Sequence, residues 1–167
     1  MAHTLVLGIG NTLLSDEGIG ILVIEYLRIR HPASPGVSYL DGGTLSFTLA
    51  GDIEDADNLI VVDAAELGDQ PGVVQCMTGA GMDRFLGNAK RSVHEVGLLD
   101  LLDIARLTET LPLNRALIGI QPEIIDWGEQ PSAAVSRAIP VAANHVIDLI
   151  AAWHHPVGSV QQQPGAA

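Results

Sequence analysis

Short β-rich runs alternating with stretches of helical periodicity constrain this chain more than any other feature. Residues 4–9, 37–40, 58–62, 72–77 and 116–120 read as strands; residues 17–30, 44–50, 96–107 and 132–153 read as helices. Strands separated by helices of this length require a largely parallel sheet covered on both faces. The expected fold is therefore α/β, a three-layer sandwich with a twisted, mostly parallel five-stranded sheet between helices. The fourth strand follows the turn-rich Gly68-Asp69-Gln70-Pro71-Gly72 and is expected as an antiparallel edge. Residues 79–92 read as a loop with one helical turn. Asp16 is a candidate N-cap for the first helix, and His31-Pro32 ends it. Pro140 is expected to kink or break the last helix.

A chain of 167 residues suggests one domain, with residues 1–155 as the body and 156–167 as a flexible polar tail. Hydrophobic residues make up 47% and aromatics only 4%, so Leu, Ile, Val and Ala must build the core. The formal net charge of -12 argues against nucleic acid or an anionic membrane as partner, since phosphate binding needs clustered Lys and Arg. Cys76 is alone, which excludes an internal disulfide and a cysteine metal cage; it reads as a small buried hydrophobe. Trp127 and Trp153 read as packing residues, with a partner contact as the alternative. Asp, Glu or Pro interrupt every apolar stretch before the roughly 20 residues of a membrane span. With no basic n-region at the start, the cytoplasm is the expected compartment.

Polar signatures follow the first three strands: Gly8-Ile9-Gly10-Asn11 leading to Asp16-Glu17-Gly18, then Asp41-Gly42-Gly43-Thr44, then Asp63-Ala64. A further one, Ser92-Val93-His94-Glu95, precedes a helix. Ligands of α/β sheets bind beyond the carboxyl ends of the strands. There Glu17, Asp63 and His94 would offer two oxygens and one imidazole nitrogen, a set suited to nickel, zinc or cobalt with positions left open. Each residue also has a plainer reading. Asp63 can cap a turn, Glu17 can sit at the positive end of its helix, His94 can cap or lie on the surface, and Asp41 can form a turn before two glycines.

Gly8-x-Gly10 also suggests a dinucleotide loop, but the third glycine of Gly-x-Gly-x-x-Gly would fall at Leu13, and the helix starts too late to meet a pyrophosphate. Gly-Ile-Gly-Asn is similar to the opening of peptidyl-tRNA hydrolases, but no Pro follows Asn11 and the charge is acidic. The sequence contains neither a Gly-x-Ser-x-Gly elbow nor a His-Glu-x-x-His helix.

Five segments in order resemble the nickel–iron hydrogenase maturation endopeptidases: Leu5-Val-Leu-Gly-Ile-Gly-Asn-Thr-Leu-Leu-Ser-Asp-Glu-Gly-Ile-Gly20, Leu40-Asp-Gly-Gly-Thr44, Leu59-Ile-Val-Val-Asp-Ala64, Ser92-Val-His-Glu-Val-Gly97 and Ile118-Gly-Ile-Gln-Pro122. The resemblance covers residues 5 to about 150. It implies a protease that cuts the C-terminal extension from the large-subunit precursor of a hydrogenase, after a His or Arg. It implies Glu17, Asp63 and His94 as ligands of nickel that the precursor itself carries, and Asp41 as a residue of recognition or cleavage. A chaperone that checks the same precursor for nickel, and a nucleotide-binding protein, are the alternatives.

Overall fold

The computed structural model describes residues 2–88 and 93–155, and of residues 93–96 the backbone alone. The expected tail at 156–167 lies outside the described residues. Five strands form one sheet: β1 (Thr4–Gly8), β2 (Val37–Asp41), β3 (Asn58–Ala64), β4 (Val74–Thr78) and β5 (Asn114–Ile120). Their order is β2-β1-β3-β5-β4. Every pairing is parallel except that of β4 with β5. The fourth strand is thus the antiparallel edge that its turn-rich approach implied.

The helices are α1 (Ile19–Arg30), α2 (Ala50–Glu54), α3 (Ala80–Gly87), α4 (Val93–Leu107) and α5 (Ala133–His154). Side chains alternate across a strand, and each face of the sheet feeds a separate core. Val6, Ile60, Val62, Ile118 and Ile120 pack against Ile24 and Leu27 of α1 and Ala142 and Val146 of α5. Leu5, Leu7, Leu59, Val61 and Leu117 pack against Ile53 of α2, Met82 and Leu86 of α3, and Leu98 and Leu102 of α4. At the amino ends of the strands, Asn114 donates to Asn58 (2.8 Å) and Asn58 to Thr4 (2.9 Å), so polar side chains buried there satisfy one another.

Several local expectations are corrected. Residues 80–87, read as loop, form α3. There Met82 and Leu86 recur at helical spacing and are fully buried, and Asp83 accepts a bidentate bond from Arg115 of β5. Of residues 44–50, only Phe47–Leu49 coil, as a 3-10 turn capped by Ser46, before α2 begins. The helix after β1 starts at Ile19, behind a 3-10 turn over Ser15–Gly18, and Gly18 stands at its N-cap without a side-chain bond. Asp16 is not the cap. Pro140 does not break α5, which runs 22 residues and is thus long and apolar enough, by length and composition, to cross a membrane. Its inner face (Val135, Ala138, Ala142, Ala143, Val146) lies in the core on α1 and the sheet. Cys76 is half-buried against that core, and burial pushes its thiol up. Trp153 packs there too, whereas Trp127 is 78% exposed and has no packing role in the core.

Candidate functional site at the carboxyl ends of the strands

The site is built on the exit of β1. Gly10 has φ +151°, and a Cβ there would stand 2.1 Å from the Glu17 carbonyl oxygen. Only glycine lets the chain fold back so closely. The same economy recurs at Gly20 in the first turn of α1, where a Cβ would come within 2.3 Å of both the Ile9 and Val62 carbonyls. The helix therefore rests directly on the backbone where β1 and β3 end. As a result, the 3-10 turn carrying Glu17 packs against β3, whose penultimate residue is Asp63.

Asp63 is 1% exposed; it shares its side of the strand with Leu59 and Val61 and so faces the layer of α4. Glu17 is half-buried. Asp41 ends β2 beside Gly8, across β1 from Asp63, about 10 Å away at ordinary strand spacing. It is exposed, and its Oδ1 accepts the Gly43 N–H at 2.8 Å, which is the turn-forming role of an Asp before two glycines. The Gly42 N–H donates to the Gly8 carbonyl at 2.8 Å, so the β1 and β2 exits form one rim.

His94 falls in the first turn of α4, and its side chain lies outside the described residues. The following turn borders the same rim: a Cβ at Gly97 would lie 3.5 Å from Leu45. Between α4 and the 44–47 loop is a cleft of about 390 Å³, with Leu45, Phe47, Asp100 and Leu101 among its walls. Among the described side chains no three His, Cys, Asp or Glu form a group that could hold a metal. The turn bearing Glu17 and the strand end bearing Asp63 are therefore together, Asp41 stands apart on the outer side of β1, and the third expected ligand is not described.

Two residues were given no site role by the sequence. Asp16 is fully buried; its carboxylate accepts the N–H groups of Glu123 and Ile124 (2.8 Å each), the Ser132 N–H (2.6 Å) and the Ser132 hydroxyl (2.9 Å). Burial pushes this carboxyl up, but the bonds from Ile124, Ser132 and Glu123 outweigh that and hold it below its ordinary value. It fastens the loop between β5 and α5 to the turn that holds Glu17. Gln121, at the end of β5, accepts the Leu67 N–H at 2.7 Å and donates to Glu66 at 3.2 Å, tying down the loop after β3. The sequence offered Asp16 only as a helix cap and Gln121 only as part of the segment Ile118-Gly-Ile-Gln-Pro122.

The profile of a family described as hydrogenase maturation protease matches residues 21–149. The chain is 36% identical over 150 residues to the hydrogenase expression/formation protein HupD of Bradyrhizobium diazoefficiens, covering 89% of this chain and 78% of that one. It is 37% identical over 123 residues to the hydrogenase 2 maturation protease of Escherichia coli, covering 73% and 74%. Its fold is similar to that of the hydrogenase maturating endopeptidase HybD from E. coli, with a TM-score of 0.84, 33% identity and coverage of 92% and 94%. It is also similar to the [NiFe] hydrogenase maturation protease HybD from Thermococcus kodakarensis, with a TM-score of 0.76, 28% identity and coverage of 88% and 98%.

Proposed function

This chain belongs to the hydrogenase maturation protease family, and from that premise we propose that it removes the C-terminal extension from the nickel-loaded large-subunit precursor of a nickel–iron hydrogenase. It is a hydrolase of the endopeptidase type. The observation that carries the finer reading is the buried Asp63 at the end of β3, with the turn of Glu17 held against that strand.

The nickel is the substrate's own and supplies Lewis acidity at the scissile carbonyl. Glu17 and Asp63 offer it oxygens and His94 an imidazole nitrogen, a donor set that suits a borderline divalent ion. Asp41, exposed across β1 and about 10 Å from Asp63 at ordinary strand spacing, serves recognition of the peptide or, where the bound peptide brings the attacking water to it, takes that water's proton. The water's hydroxyl adds to the carbonyl carbon, the C–N bond breaks, and the proton passes to the leaving amine. The -12 net charge disfavours nucleic acid or an anionic membrane as partner. A reaction on a newly made hydrogenase subunit fits the cytoplasm as its compartment.

The test is the intact mass of a cognate precursor after incubation, with and without nickel loaded. One C-terminal truncation, seen only with nickel, is expected. An unchanged mass in both arms would overturn the protease reading in favour of a nickel-checking chaperone. Asp63→Asn divides the roles further: lost binding of loaded precursor assigns Asp63 to recognition, and retained binding with lost cleavage assigns it to chemistry.

A further inference from the structure

Beside the rim, two loops form a narrow ribbon. The Gly128 N–H donates to the Leu13 carbonyl (2.9 Å), Ser15 N–H to Gly128 (2.8 Å) and Asp16 N–H to Ile124 (3.1 Å). Leu14 and Gly128 make an isolated parallel bridge. The Ser15 hydroxyl donates to the Asp126 carbonyl at 2.9 Å, and the buried Asp16 carboxylate holds the ribbon from beneath. So firmly anchored a loop would be expected to turn its apolar side chains inward. Instead Leu13 is 51% exposed, Ile124 47%, Ile125 61% and Trp127 78%. Glu123, Asp126 and Glu129 alternate with them, all exposed, and no Lys or Arg occurs from residue 121 to 132.

We propose that this ribbon docks the folded body of the hydrogenase precursor, by an apolar patch of the precursor edged with Lys and Arg. The inference rests on the functional reading above and adds a second contact, separate from the peptide that is cut. Three observations select this occupant. Large exposed apolar groups rimmed by polar ones mark protein interfaces, and Trp is enriched among the residues that dominate them. The three interleaved carboxylates require a basic counterpart. Leu13 lies four residues before Glu17 on the same loop, so a protein whose tail enters the rim has the ribbon directly beside it. The Asp16 bonds fix the loop before binding, which reduces the ordering cost of association.

The test is steady-state processing of the nickel-loaded precursor by the full chain and by Trp127→Ala/Ile125→Ser, with Leu107→Ser as control. Leu107 is 85% exposed at the far end of α4. In the double variant KM should rise at least tenfold with a much smaller change in kcat, and Glu123→Lys/Glu129→Lys should also raise KM. The control should match the wild type, and thermal melts should show that all variants are folded. Wild-type cleavage with an unmoved KM in both ribbon variants would overturn the docking surface and leave the protease reading intact. If the wild type fails to cleave, titration calorimetry with the precursor decides alone: binding abolished by Glu123→Lys/Glu129→Lys supports docking, and no binding, or binding unchanged in that variant, overturns it. Concentration-dependent dimerisation lost in the Trp127 variant would assign the ribbon to a second copy of the chain instead.

Discussion

The backbone N–H of Gly10 donates to the carbonyl of Gly43 at 2.8 Å. The loop that leads to Glu17 and the loop that follows Asp41 are thereby tied across the carboxyl end of the sheet. Gly10 also lies under the Glu17 carbonyl, so Gly10→Ala forces a contact that backbone must relieve. Strain of this kind is worth about 1–3 kcal/mol. The expected outcome is a chain that still folds, with a lower melting temperature and at least a tenfold loss of precursor cleavage.

The turn-forming role of Asp41 can be separated from its proposed role as a proton acceptor. Asp41→Asn keeps a side-chain oxygen for the Gly43 N–H but removes the charge. Cleavage should fall by roughly 10²–10⁴, the usual contribution of a general base, with little change in thermal stability. A variant that cleaves normally would reduce Asp41 to a turn former.

The Asp16 anchor should be visible in acid. Its carboxyl is held below the ordinary value in the folded chain, so its contribution is complete above about pH 4, the unfolded value. That contribution is lost as pH falls through the lower folded value. Asp16→Ala leaves buried N–H groups without an acceptor and should cost about 1–3 kcal/mol at neutral pH. Its denaturation curves should also depend less on pH below 4 than those of the wild type.

The Asp83–Arg115 pair braces α3 against β5. The Arg115 hydrogen bond holds the Asp83 carboxyl below its ordinary value, and the two side chains are only 30% and 15% exposed. Replacement by Asp83→Ala should cost roughly 1–3 kcal/mol in urea unfolding, since the guanidinium is then left part-buried and unpaired.

Pro140 supplies no N–H inside α5. Its exposed position lets an alanine fit without repacking. Pro140→Ala should therefore raise stability by up to about 3 kcal/mol, read from the chemical denaturation midpoint.

The strands and sheet class were legible because buried runs such as Leu59–Val62 leave no polar position for an exposed face. The antiparallel edge was legible through its turns. The α3 helix was not, because Gly79, Gly81 and Gly87 give residues 79–87 the look of a loop, and the apolar pair that commits the segment, Met82 and Leu86, matters only once the sheet is present. The same limit hid Asp16. Next to a helix start an Asp reads as a cap, and its partners lie 107 to 116 residues away. Glu17, Asp41 and Asp63 were placed near the strand ends because strand ends can be counted from sequence, while their roles rest on the resemblance. Trp127 was misread because nothing local tells an inward tryptophan from an outward one.

The sheet order has a consequence for synthesis. β3, with Asp63, pairs with β1 on one side and β5 on the other, and Asp16 takes its hydrogen bonds from a loop beyond β5. A chain leaving the ribosome thus acquires the turn of Glu17 early, but its Asp16 anchor cannot close until more than 130 residues have emerged. Contacts so distant in sequence form late. The turn of Glu17 is therefore completed only by nearly the whole chain, and no short N-terminal fragment is expected to hold it in place.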